Sequence, residues 1–266
     1  MMRRTLVCLV WFLVFCLLPL TGCKRNTSST APLVVGMDLS CPPFEMINKE
    51  GKPEGVSVDF ANALGAYLKR EVVIENIPFV GLIPSLKTRK IDLIISSISA
   101  TPERKRAIAF SDPYLSTGLA LLLHKGVVAK TAKDLDLPRK TIVVHKGTTG
   151  EIFAKNNFIQ ASVVSVDNEG LAVTEVVQGK ADAFIYDQMT VWKNWHQNPD
   201  TTEAILTPVQ IEKWSVGLRQ SDDALRMEVN AFIKSFRETG GFEKLGDKFL
   251  KEQRTSFEEQ KIPFVF

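Results

Sequence analysis

The amino-acid sequence predicts an α/β protein built as two lobes with mostly parallel sheets. Two observations predict it. Short apolar runs alternate with amphipathic stretches, and the alternation occurs twice, in two series separated near Leu119 to Lys133. Strands alternating with helices are the pattern of βαβ units, in which each helix returns the chain to a parallel strand. In the first series Leu33 to Met37 (LVVGM) reads as a buried strand. Val58 to Leu68 reads as a helix, because Val58, Ala61, Leu64, Ala66 and Leu68 fall near helical spacing. Lys69 and Arg70 follow it, and positive charge suits a helix C-terminus. Val72 to Ile77 is then a strand, Leu82 to Lys87 a short helix, and Ile91 to Ile95 a strand. In the second series Thr141 to Val144 is a strand, and Gly147 to Gly150 a turn opening a helix through Lys155. Val163 to Val166 is a strand, Gly170 to Gln178 a helix, and Ala183 to Tyr186 a strand. The closing stretch, Asp222 to Leu250, is amphipathic and helical, and is expected to pack on one of the lobes.

Ahead of the first strand lies a segment that reads as targeting. Arg3 and Arg4 precede an apolar run from Leu6 to Leu18, followed by Leu20-Thr21-Gly22-Cys23. A basic flank, an apolar core and a small-residue cleavage site define a secretory signal, here residues 1–22. The run is short of the roughly 20 apolar residues a membrane-spanning helix needs. Leu-Thr-Gly-Cys resembles the lipobox of bacterial lipoproteins, which implies that Cys23 is lipidated and anchors the chain to a membrane, in the periplasm or at the cell surface. Residues 23–32, polar and small, read as a tether.

Charge and cysteine usage narrow the function classes. The chain carries 33 Lys and Arg against 30 Asp and Glu; residues 1–22 hold two arginines and no acid, so the remainder has 31 against 30, a net charge of +1. That balance gives no clustered basic face for nucleic acid. Cys8 and Cys16 leave with the signal and Cys23 carries lipid, so Cys41 stands alone and no disulfide framework forms. His124, His145 and His196 show no paired metal spacing, and no metal or cofactor is expected. There is no Gly-x-Ser-x-Gly elbow, and Lys146-Gly147-Thr148-Thr149-Gly150 lacks the spacing of a P-loop. Trp192, Trp195 and Trp214 read as packing residues.

Three segments carry chemistry. The first is Asp38 to Glu45 (DLSCPPFE), directly after the first strand. The second is Phe79 to Leu86 with Ile91 to Arg104, and the third is Lys146 to Gly150 with Ala181 to Asp187. All are strand ends running into polar or helix-starting loops, and ligands of open α/β sheets bind outside the carboxyl ends of the strands. The hydroxyls of Ser97 and Ser99 with Arg104 suit a carboxylate, since a guanidinium presents a fork that matches two carboxylate oxygens. Thr148 and Thr149, at a helix start, add donors where the helix dipole favours negative charge. Asp187, closing a strand, suits an ammonium and equally a helix N-cap for Gln188 onward. Ser96, Ser97 and Ser99 equally suit a strand end with a helix cap, Phe79 a core position, and Cys41 a buried thiol. One fork for a carboxylate and one acid for an amine make a receptor for a free α-amino acid.

In this order and spacing the segments resemble bacterial periplasmic polar amino-acid-binding proteins (extracellular solute-binding proteins, family 3), including the lysine-arginine-ornithine, histidine and glutamine binders of ABC importers. The resemblance runs from about Leu33 to Leu250 and includes Val216-Gly217-Leu218-Arg219 and Gly241 to Leu245. It implies a periplasmic-binding-protein (Venus flytrap) fold of type II: residues 31–121 with 217–266 as one lobe, 122–216 as the other, two hinge strands, and the ligand in the cleft. It further implies that Ser97, Ser99 and Arg104 hold the α-carboxylate, that Thr149 reaches it on closure, and that Asp187 takes the α-ammonium. Phe79 would stack on the ligand side chain and Asp38 would face it, with Ser96, Cys41, His145 and Thr148 at the pocket edge. The sequence departs from the family at Cys41, where relatives place Tyr or Phe. It departs again at Gly150, where basic-amino-acid binders have a polar residue, and at His145, where relatives have an apolar residue or lysine. The implied function is a monomeric, lipid-anchored, non-enzymatic component that binds arginine, lysine or glutamine and serves a membrane permease with its ATPase. The alternatives are a cyclohexadienyl-dehydratase-like enzyme, against which no second cleft acid is legible beyond Asp38 and Asp187, and a ligand-sensing domain on the same fold.

Overall fold

The apolar run that heads the first series forms β1 (Leu33–Met37), with Leu33, Val35 and Met37 fully buried, in a computed structural model that describes residues 31–262 and residue 264. The expected signal, Cys23 and the tether as far as residue 30 lie outside the described residues. After β1, a small antiparallel sheet of β2 (Ser40–Cys41), β3 (Glu45–Ile47) and β4 (Pro53–Glu54) was not foreseen, because strands of two or three residues show no period. α1 (Val56–Leu68) buries Val58, Ala61 and Leu64 and ends at Lys69, whose backbone is left-handed at φ 55°. A Cβ on Gly65 would come within 2.2 Å of Val72 Cγ2, so glycine lets the helix lie close on β5 (Val72–Asn76). α2 (Phe79–Lys87) begins at Phe79 rather than Leu82, since the Asp38 carboxylate accepts the Phe79 N–H at 2.8 Å. β6 is short (Leu93–Ile94), and α3 (Pro102–Ala107) follows with Thr101 as its N-cap.

The next element is the largest departure from the sequence reading. Leu119 to His124, read as part of a separator, belongs to the 16-residue strand β7 (Ala109–His124). Beyond a 3-10 turn at Ala132–Leu135 come β8 (Thr141–His145), α4 (Thr149–Asn157), β9 (Ser162–Val166), α5 (Glu169–Val177) and β10 (Ala183–Asp187). α6 (Gln188–Gln197) carries Trp192 and Trp195, and β11 (Thr202–Leu218) is a second long strand. The closing stretch is three helices, α7 (Asp223–Glu238), α8 (Gly241–Phe249) and α9 (Lys251–Glu259), broken after α7 at Gly240, φ 71°.

One sheet runs β5-β1-β6-β11-β7-β10-β8-β9. Its flanks are parallel, β5-β1-β6 on one side and β10-β8-β9 on the other, and the antiparallel ribbon of β7 and β11 joins them. This is the two-lobed architecture with two hinge strands. Along β7 the side chains alternate: Leu119, Leu121 and Leu123 join a core with Ile142, Val144 and Ile185, while Ala120 and Leu122 join the core on the other face. Around β1 the core is aromatic: the Phe60 ring centroid lies 4.8 Å from Tyr114, 5.4 Å from Phe232 and 5.7 Å from Phe242, which docks α7 and α8. Midway along the ribbon the register shifts between Ile205 and Gln210 of β11, a bulge that bends paired strands. Among the described residues no helix is long and apolar enough to cross a membrane.

Candidate functional site

The carboxyl ends of the strands from both flanks meet at a narrow crevice with a cavity volume of about 30 Å³. Asp38, Cys41, Phe79, Ser96, Ser97 and Arg104 line it from the β1 side, and His145, Thr148, Thr149, Gly150 and Asp187 from the β10 side. All the expected site residues except Ser99 therefore meet on one surface. Ser99 lies just behind: its hydroxyl donates to the Glu212 carboxylate, and it lines a neighbouring groove with Thr101 and Gln210.

Arg104 lies in the first turn of α3, whose start is fixed by its cap. Thr101 accepts the Arg104 N–H at 3.3 Å and Pro102 fixes the first helical φ. The guanidinium donates through Nη1 to the Ser99 carbonyl at 2.8 Å and, across the crevice, through Nη2 to the Gly147 carbonyl at 2.9 Å. Its carbon lies 5.1 Å from the centre of the Phe79 ring, a cation–π contact. Burial lowers its pKa to about 10 against the pull of Glu212, so it stays charged at neutral pH. Beside it Ser97 adopts φ 48°, in the left-handed region, and its buried hydroxyl has no hydrogen-bond partner among the described residues. On the facing side Thr148 caps α4, accepting from Glu151 N–H at 3.4 Å and donating to the His145 carbonyl at 2.7 Å. That leaves Thr149 as the first residue of the helix, its N-terminal dipole turned to the crevice. Gly150 has a packing reason to be glycine: a Cβ there would stand 2.6 Å from the Ile185 carbonyl oxygen.

Asp187 performs the capping role as well as lining the crevice. Its Oδ1 accepts the N–H groups of Met189 and Thr190, each at 3.0 Å, while Cys41 Sγ lies 4.0 Å from Oδ2. Burial raises its pKa to about 6, opposed by the bonds from Thr190. Cys41 is itself buried, and burial with the nearby Glu45 carboxylate pushes its thiol well above the ordinary range. Asp38 is held by Ser40, whose hydroxyl donates at 2.7 Å, and Ser96, whose oxygen accepts the Asp38 N–H at 2.9 Å. Across the crevice His145 Nε2 stands 3.8 Å from Asp38 Oδ2.

Lining residues not read from the sequence as site residues are Glu45, Leu119, Tyr186, Glu212 and Trp214. Glu45 is 1% exposed, and neither carboxylate oxygen has a hydrogen-bond partner among the described residues. Burial raises its pKa to about 8, against the pull of the Ser57 and Ser97 hydroxyls nearby. A signal for Glu45 existed, since it sits in the same segment as Asp38 and Cys41 and pairs opposite Cys41 between β2 and β3. Glu212 and Trp214 lie on β11, which the sequence reading left unassigned, and Trp214 meets Phe44 edge-on at 4.7 Å.

Two sheet halves on a double-strand hinge, with a charged crevice between their carboxyl ends, define the class of two-lobed solute receptors. Residues 33–252 match the bacterial extracellular solute-binding proteins, family 3, and the chain belongs to that family. It is similar to the L-arginine-binding protein of Pseudomonas aeruginosa, 29% identical over 231 residues that cover 82% of this chain and 88% of that one. A binding component of an ABC transporter from Wolinella succinogenes, solved complexed with lysine, is 31% identical with a TM-score of 0.79, covering 84% of this chain and 97% of that one. The ancestral amino acid-binding protein AncCDT-1, a precursor of cyclohexadienyl dehydratase, is 32% identical with a TM-score of 0.77, covering 83% and 95%.

Proposed function

We propose that this protein is the lipid-anchored substrate-binding component of an ABC amino-acid importer, and that it holds a free polar L-amino acid of the arginine and lysine class ahead of glutamine. Residues 1–22 are the export signal, Cys23 carries the lipid, and residues 23–32 tether the domain outside the membrane. The lobes are residues 31–121 with 217–266 and residues 122–216, and a ligand touching both shifts the population toward the closed form that the permease and its ATPase recognise. The observation that carries the reading is that a guanidinium, Arg104, and a carboxylate, Asp187, line one crevice from opposite flanks of the sheet. The ligand carboxylate meets Arg104, the Ser97 hydroxyl and the start of α4 at Thr149; its ammonium meets Asp187; its side chain lies along Phe79 toward Asp38. A cationic side chain is favoured because Asp38, Asp187 and Glu212 line the crevice against one permanent cation among the described residues, Arg104. The arginine and lysine named for two relatives support the same class.

The test is a thermal-shift screen with the twenty amino acids, followed by calorimetry. Ligand at about a thousand times its Kd adds about 4 kcal/mol to the folded state, which is a shift of about 8 °C or more for a domain of this size. Arginine or lysine should give the largest shift, and Arg104→Ala should weaken binding by about a hundredfold or more, since it strands the ligand carboxylate. Absence of a shift with every amino acid, or unchanged affinity in Arg104→Ala, would overturn the reading.

One observation favours a second reading. Glu45, with a pKa of about 8, is a carboxylic acid that keeps its proton at neutral pH inside the crevice, the kind of group a dehydration uses as a proton donor. Turnover of prephenate by the purified protein, lost in Glu45→Gln, would select the enzyme; inert prephenate leaves the binding protein.

A further inference from the structure

The side-chain end of the crevice is closed by residues that also face outward. Asp38, Phe79 and His145 line the inner crevice and, at the same time, a second groove whose outer wall includes Lys146 and Asp167. His145 stands on one flank of the sheet at the end of β8, and Asp38 on the other after β1. Both are buried, at 2% and 8% exposure, with Nε2 3.8 Å from Oδ2. The other ring nitrogen, Nδ1, lies 3.5 Å from the Tyr186 hydroxyl, and the Phe79 ring is 6.2 Å away.

Resting on the reading of the crevice as a cationic amino-acid site, we propose that His145 is its specificity gate: when protonated it claims Asp38 across the crevice and excludes a cationic side chain, and when neutral it leaves Asp38 to that side chain. Two effects act together. The imidazolium satisfies the carboxylate that the ligand's guanidinium or ammonium would meet, and it sets a positive charge beside the incoming one. The gate is specific for charge, since a neutral side chain competes for neither.

The groups facing the ring set where it opens. Burial pulls the pKa of His145 below the ordinary histidine range, while Asp38, Asp167 and Glu151 pull it upward. Tyr186 and Phe79 face it without charge at neutral pH, Tyr186 because burial raises its phenol. The ring is therefore neutral near pH 7.5 and takes up its proton on the acid side. Cationic-ligand affinity is then full above the His145 pKa and falls as pH drops through it, by up to about tenfold per pH unit.

The experiment is calorimetric titration of arginine into the wild type and His145→Gln, from pH 8 to about one unit below the ring's pKa as read by NMR. Protonation of Asp187 and Glu45 weakens binding in both proteins, so the ratio of their affinities isolates the ring. The wild type should lose at least about fivefold more affinity than His145→Gln over that range. A ratio constant within about twofold overturns the gate and leaves the proposed ligand class standing. No arginine or lysine binding to the wild type at pH 8 removes the ligand class and the gate together. An independent readout needs no variant: the chain has three histidines, and NMR titration of their ring protons should find one whose pKa falls when arginine is bound. An imidazole pKa that stays put in the complex contradicts the competition, because linkage is reciprocal.

Discussion

Replacing Glu45 by glutamine should make the protein more stable at alkaline pH and leave it nearly unchanged in mild acid. Glu45 opens β3 with 1% of its surface exposed, and both of its oxygens lack a partner among the described residues. Burial, with smaller contributions from Asp187 and Asp38, raises its pKa from 4.5 to about 8. Between those values the unfolded chain has released a proton that the folded protein keeps, so the folded state binds more protons and stability falls as pH rises. The loss begins near the unfolded pKa, ends above about 8, and has a ceiling on the order of 4 kcal/mol for a shift of this size. Glutamine keeps the shape and removes the charge, and the hydroxyls of Ser57 and Ser97 lie near enough to influence the group that replaces it. Urea unfolding at pH 5 and pH 8.5 reads the effect as a change in midpoint at constant slope. The variant should gain on the order of 2–4 kcal/mol over the wild type at pH 8.5, and less than about 1 kcal/mol at pH 5. Glu169 will keep part of the slope in both proteins, because burial raises its pKa to about 8 as well. A variant no more stable than wild type at pH 8.5 would refute the reasoning, since it would mean that Glu45 ionises in the fold without cost.

The alternating parts of the fold were legible because buried strands such as β1 and β10 are continuous apolar runs, while α1 has one apolar face. β1, α1, β5, α4, β9, α5 and β10 each appear within a few residues of their sequence limits. What failed to show is what depends on distant partners. β7 and β11 hold to each other over most of their length, and their alternation is broken where the register shifts. No local period survives such a bulge. The start of α2 was misplaced for a similar reason, because the acceptor that fixes Phe79 N–H is Asp38, on the far side of α1 and β5 in the chain. In the site, Arg104, Thr148 and Asp187 announce themselves through capping patterns on short segments, and the structure brings them to one surface. The orientation of Ser99 toward Glu212 was invisible, because that pairing joins the loop after β6 to a strand that one sequence does not reveal.

Two further outcomes follow from the crevice lining. Cys41 lines the crevice at 4% exposure with its thiol held protonated by burial, so alkylation requires the lobes to part. Bound arginine should slow iodoacetamide labelling of Cys41 by about tenfold or more, read by mass spectrometry; equal rates would mean that ligand does not bridge the lobes. Asp187 offers the sharper case, because it serves two roles through different atoms. Its Oδ1 caps α6 through Met189 and Thr190, and its Oδ2 lies beside Cys41. Asp187→Ser supplies a capping oxygen without charge, whereas Asp187→Ala removes both, at a capping cost of about 1 kcal/mol. If the carboxylate receives the ligand ammonium, both variants lose about a hundredfold or more in arginine affinity, and the serine variant is the more stable of the two by about that capping cost. If Asp187 is a cap and nothing else, the serine variant binds arginine as the wild type does, and the ammonium must then find its anion at Asp38 or Glu212.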